Sequence, residues 1–136
     1  MRQLLTLTIA LCLLFLHCGC AAEEKLLERS KSEDIAVTVK AATLVEDYKA
    51  NEVKADEKYK DKVIAVTGKV EAIKKGLGGQ PIVLLSAPKR FVKVRCMFGK
   101  EYAPQVAKIS KGNVITVKGV CKGKLGSVNL GGCIPQ

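Results

Sequence analysis

From Lys62 onward the chain alternates apolar and polar residues with a period of two, in stretches separated by glycine-rich turns. Such alternation marks strands with one face on a core and the other in water. In the first stretch Ile64, Val66, Gly68, Val70 and Ala72 share a face, and Thr67, Lys69 and Glu71 the other. Gly68 in mid-strand predicts a bulge or sharp coil, which a small barrel needs to close. Residues 75–79 read as a turn, 80–86 as a second strand and 90–98 as a third. In the third, Val92, Val94, Cys96 and Phe98 are expected inside, with Phe91, Lys93, Arg95 and Met97 outside.

Residues 99–111 change period. Tyr102, Val106 and Ile109 fall at helical spacing, Pro104 sits in the first turn where it is tolerated, and Gly112 can cap the end. Residues 113–121 read as a fourth strand and 127–134 as a fifth, with Gly131-Gly132 as a bulge. Three strands, a short helix and two more strands is the connectivity of the OB barrel. An SH3-like barrel is the alternative, and it does not need the helix after strand three. The expected fold is mainly β, a five-stranded OB-fold barrel (β-β-β-α-β-β) preceded by an N-terminal helix. That helix comes from residues 41–60, where Leu44, Val45 and Tyr48 form an apolar stripe, with Val53 and Ala55 inward. The length, 136 residues, suits one domain.

The first twenty residues read as an export signal. Arg2 gives a positive start, and residues 4–16 form an apolar stretch of 13, short of the roughly 20 a membrane span needs. The run Leu16-His17-Cys18-Gly19-Cys20 looks like a bacterial lipoprotein signal, with Cys20 after a small residue as the lipidation site and Cys18 a poorer candidate. His17, where such signals usually carry Leu, is a departure, and cleavage near Ala22 is the alternative. Residues 21–40 are expected to be a flexible tether, with a brief helix at Glu23 to Arg29 as a further reading, and 41–136 the folded domain. Ala21 in place of an Asp after Cys20 points mildly to the outer membrane, facing the periplasm. Removal of the leader would remove His17, the only histidine.

Charge is divided along the chain. Residues 21–60 hold 8 Lys/Arg and 10 Asp/Glu, a net of −2, whereas 61–136 hold 14 and 3, a net of +11. A barrel this basic fits a polyanionic partner, or else a solubilising lysine coat.

Several segments together resemble a family of bacterial OB-fold lipoproteins described as tRNA-anticodon-binding-like. They are Asn51-Glu52, Ala55-Asp56, Tyr59-Lys60, residues 63–70 (VIAVTGKV), 94–98 (VRCMF), 111–123 (KGNVITVKGVCKG) and Cys133. The resemblance runs from about Leu44 to Ile134 and implies an OB fold and an envelope location. It implies kinship of shape with nucleic-acid binders rather than a demonstrated activity.

Three cysteines follow the leader. Cys121 and Cys133 lie in hairpin neighbours and are expected to form a disulfide, with Cys96 a buried free thiol; Cys96–Cys121 is the alternative pairing. Three thiols without a histidine are an incomplete zinc set, so no metal or other cofactor is expected. Asp61, Glu71 and Glu101 are the barrel's only carboxylates, at positions that fit structural roles, and no enzyme is expected. In OB folds ligands meet strands two and three and the loops joining strands one to two and four to five. Those places carry Lys74, Lys75, Lys89, Arg90, Phe91, Lys93, Arg95, Lys122 and Lys124, the expected ligand-binding set. Against nucleic acid stands the scarcity of stacking rings, since Phe91 is the one aromatic residue expected on that face. Two functions are therefore carried forward. One is an exported lipoprotein that binds nucleic acid or another anionic polymer such as a polysaccharide. The other is an envelope interaction or scaffold module that holds a protein partner.

Overall fold

The computed structural model describes residues 18–88 and 92–136, with side chains from residue 21 onward. In chain order the elements are α1 (Cys18–Ser32), β1 (Val37–Lys40), α2 (Ala41–Ala50), α3 (Glu52–Tyr59), β2 (Val63–Lys75), β3 (Pro81–Leu85) and β4 (Val94–Phe98). A 3-10 turn (Lys100–Tyr102), α4 (Ala103–Val106), β5 (Val114–Leu125) and β6 (Ser127–Pro135) complete it. The sheet order is β1-β2-β3-β4-β6-β5, and β5 returns to pair with β2. That last pairing closes a five-stranded barrel from β2 to β6, the OB fold. β4 and β6 run parallel, and the other pairs of barrel strands run antiparallel.

Length lets β2 serve two barrel neighbours. Its residues 63–69 pair with β5 and its residues 70–75 with β3. The register slips between Val70 and Ala72, so the bulge lies just beyond Gly68. Gly68 serves close packing instead: a Cβ there would stand 2.8 Å from that of Ala41 and 3.2 Å from that of Leu85. The second bulge falls where expected. Cys96 faces Leu130 and Phe98 faces Cys133, so Gly131 and Gly132 together oppose Met97 alone.

The helical segment before the barrel is two helices. Asn51 leaves helical backbone (φ −159°, ψ 101°), and its side chain accepts a hydrogen bond from the Lys54 N–H at 3.0 Å, capping α3. Tyr59 donates its hydroxyl to Asp47 at 2.5 Å across the resulting corner. Lys58 pairs with the same carboxylate at 3.0 Å. Leu44, Val45 and Tyr48 of α2 and Ala55 and Tyr59 of α3 join one apolar core with Val66, Val70, Leu85, Val94, Phe98, Val106 and Leu130. Val53, expected inward, is exposed.

Residues 21–40, expected to be a tether, contain most of α1 and all of β1. β1 adds a parallel strand beside β2, pairing Val37 with Ile64 and Lys40 with Thr67. α1 lies on β6 over a bed of glycines. A Cβ on Gly99 would stand 2.8 Å from Leu27, one on Gly131 2.8 Å from Leu26, and one on Gly132 2.4 Å from the Leu26 backbone. Arg29 donates to the Asp61 carbonyl at 2.9 Å, and Lys31 reaches Glu101 at 2.8 Å, tying the helix to the barrel. Residues 1–17 of the expected signal, including His17, lie outside the described residues, as does the side chain of Cys20.

The disulfide expected between Cys121 and Cys133 is not formed; Cys96, Cys121 and Cys133 are all free and buried. The tight β5–β6 connection sets the reason. It pairs Cys121 with Leu130, and the glycine bulge carries Cys133 past it to face Phe98. Cys121 instead packs 3.6 Å from the Tyr48 hydroxyl, while the Cys133 sulfur lies under Gly119. Burial pushes both thiols above their ordinary pKa, and neighbouring Cys96 adds to the rise at Cys133. Such thiols are poor nucleophiles.

Candidate functional site

The loop after β2 and the β5–β6 turn rise on either side of an open groove. It is lined by Lys74, Lys75, Gly76, Leu77, Ile82, Leu84, Arg95 and Ser127. Each comes from an element whose local chemistry presents it. Lys74 and Lys75 end β2, where pairing with Ile82 and Pro81 holds the strand flat to its last residue. Gly79, at φ +84°, lets the loop reverse within four residues, and its N–H returns to the Gly76 carbonyl at 3.0 Å. Leu77 stands fully exposed at the tip. Leu84 and Arg95 are cross-strand partners, and on β4 the neighbours Val94 and Cys96 turn into the core. Strand alternation therefore fixes Arg95 outward.

Electrostatics separates the expected basic residues into two groups. Lys74, Lys75 and Arg95 have no carboxylate partner among the described residues and converge on the groove. The other three described lysines are matched with acids. Lys93 is bound to Glu71. Lys122 lies 3.4 Å from Asp61, and Lys124 lies 3.5 Å from Glu52 on α3. Those two pairs turn the β5 lysines toward the helices. Lys89, Arg90 and Phe91 lie outside the described residues.

Ile82 and Leu84 give the groove an aliphatic lining. Cations along its edge with an apolar lining suit a polymer with regularly spaced negative charge and uncharged faces. Groups of three or more His, Cys, Asp or Glu that could hold a metal do not occur among the described residues.

Sequence reasoning missed the uncharged members Leu77, Ile82, Leu84 and Ser127, because charge was the signal it followed. It also missed a second recess. Between α1 and the outer face of β4 and β6 lies a cavity of about 220 Å³. Leu26, Leu27 and Met97 line it, with Gly131 and Gly132 beneath and Glu23, Arg95, Lys122 and Asn129 around it. Arg95 borders both spaces.

A model of the tRNA_anti-like family matches residues 1–133. Among solved structures, the chain is similar to a lipoprotein of Klebsiella pneumoniae subsp. pneumoniae MGH 78578 to which nucleic-acid binding is ascribed. The identity is 20%, the TM-score 0.58, and the match covers 72% of this chain and 90% of that one. It is also similar to a protein assigned as an aspartyl-tRNA synthetase from Leishmania major Friedlin, at 16% identity and TM-score 0.45, over 69% of this chain and 25% of that one. No curated protein matches the chain.

Proposed function

The chain belongs to the tRNA_anti-like family, and on that premise we propose that it binds single-stranded nucleic acid along the groove between Leu77 and Ser127. One observation carries the reading: Lys74, Lys75 and Arg95 converge on the groove unpaired, while the other described basic residues of the expected set are neutralised by neighbouring acids. An unpaired cation releases counterions from a phosphate backbone without first breaking an ion pair of its own. The family name and the ascription to the Klebsiella lipoprotein favour nucleic acid over other anionic polymers. Binding, with no catalytic step, is the activity this arrangement supports.

The same reading sets the protein on a membrane surface, with Cys20 carrying the lipid after cleavage of the leader. The apolar stretch at 4–16 and the Gly19-Cys20 junction support it, as does the relative's description as a lipoprotein. Mass spectrometry of the mature N-terminus reads this directly, and an unmodified Ala21 terminus would refute it.

Fluorescence anisotropy of a labelled 12-nucleotide strand with the full chain in detergent tests the groove. The expected result is binding that persists at physiological salt and weakens in the Lys74→Ala/Lys75→Ala variant. Equal affinity of variant and wild type would dismiss the site. A preference for anionic polysaccharide over any nucleic acid would keep the groove and replace the ligand.

A further inference from the structure

We propose that the cavity between α1 and the outer face of β4 and β6 receives one unstacked nucleobase from a strand lying in the groove. This deepens the function proposed above and rests on it. Single-strand binders seat bases on apolar surface, usually aromatic rings. The described lining of the groove contains no ring. The cavity offers a second apolar seat beyond the aliphatic side chains of the groove, and Arg95 lines both spaces.

Size agrees. An apolar cavity of about 150 Å³ holds a benzene ring, and this one, at about 220 Å³, suits a somewhat larger heterocycle. Leu26, Leu27 and Met97 offer apolar contact along its walls.

The surrounding polar groups favour certain bases. Arg95 and Lys122 supply cations for the flanking phosphates. Lys122 shares its charge with Asp61 at 3.4 Å, so Arg95 is the stronger of the two. Asn129 donates its amide nitrogen to the Ser127 carbonyl at 2.8 Å and the Leu125 carbonyl at 3.4 Å. Its oxygen has no donor among the described residues, and the Glu23 carboxylate is a second acceptor. Two acceptors select a base with an exocyclic amino group, so cytosine and adenine are preferred over thymine and uracil.

The experiment uses the full chain in detergent with a 12-nucleotide strand carrying 2-aminopurine at its centre. Anisotropy reports binding, and 2-aminopurine emission reports whether the base leaves the stack. Wild type is expected to bind with a rise in emission, and to hold oligo(dC) about tenfold more tightly than oligo(dT). Leu26→Trp fills the cavity. It is expected to abolish the rise, weaken oligo(dC) about tenfold and level the preference. Glu23→Ala, at an exposed position, is expected to narrow the dC-over-dT preference without disturbing the fold, which keeps the test independent of how the Trp variant folds. Binding with unchanged emission, or with equal affinity for dC and dT, would overturn the base pocket while leaving the groove intact. No binding of any strand would overturn both.

Discussion

The helical side of the barrel and its open sheet face carry the same residue types and use them in opposite ways. On the helical side three ion pairs form: Lys58 with Asp47, Lys60 with Asp56 at 3.9 Å, and Lys124 with Glu52. Buried phenols anchor the same region, with Tyr48 donating to Asp56 at 3.0 Å and stacking on Tyr59. Burial raises the Tyr48 phenol far above its ordinary range, so it stays protonated and remains a donor. On the sheet face Lys74, Lys75 and Arg95 have no such matches among the described residues. Net positive charge is thus a poor guide to a site by itself. What the groove adds is three cations without acid partners brought to one lining.

The contrast can be broken most severely at the seam between the two sides. Gly132 holds φ +56° directly beneath the α1 backbone. Gly132→Val should cost about 3 kcal/mol or more, from backbone strain and undocking of the helix, read by urea denaturation. A loss below about 1 kcal/mol would mean that α1 contributes little to the fold.

Next comes the groove. Lys74→Ala/Lys75→Ala should weaken nucleic-acid binding about tenfold and reduce the slope of log K against log salt by about 1.4. Stability should stay within about 0.5 kcal/mol of wild type, as for other exposed sites. A matching loss on the helical side would erase the distinction, so Lys124→Ala is the control. Its charge already faces Glu52, and it should change affinity less than about twofold.

The smallest effect belongs to Asp47. Hydrogen bonding from Tyr59, and then from Lys58, holds its carboxyl below the ordinary range. Its contribution to stability is therefore complete above the unfolded value of about 4 and fades as pH falls through the lower folded one. Because the group is a third exposed, Asp47→Asn should cost less than about 1 kcal/mol at pH 7. That gap should narrow as pH falls below about 4. Denaturation curves at pH 7 and pH 2.5 check it, and a gap that persisted in acid would assign the effect to packing.

The barrel was legible where one residue in two decides the outcome. Val94, Cys96 and Phe98 are buried and Arg95 is not, as alternation requires. The bulge at Gly131-Gly132 was legible because only close approach explains paired glycines within a strand. α1 and β1 were not. Leu26 and Leu27 sit among charges with no repeat around them, and what seats them is Gly99, Gly131 and Gly132, some 70 to 106 positions away. Four residues, Val37–Lys40, are too few for a period to register. Within the site, Lys74, Lys75 and Arg95 followed from the connectivity of the fold. The neutralisation of Lys93 and Lys122 did not, because Glu71 and Asp61 lie 22 and 61 positions from their partners. The disulfide expectation failed on register: with Leu125 opposite Ser127, the hairpin sets Cys121 against Leu130 and leaves Cys133 further along.

The glycine bed beneath α1 also orders events in time. It belongs largely to the last strand, so a chain made from its N-terminus emerges with Leu26 and Leu27 bare until the final residues follow. Barrel closure joins Val63 to Val120, 57 positions apart, and non-local pairing of this kind folds over milliseconds to seconds. Throughout synthesis the first helix is therefore an uncovered apolar segment that a chaperone can hold. Its docking waits on the formation of β6.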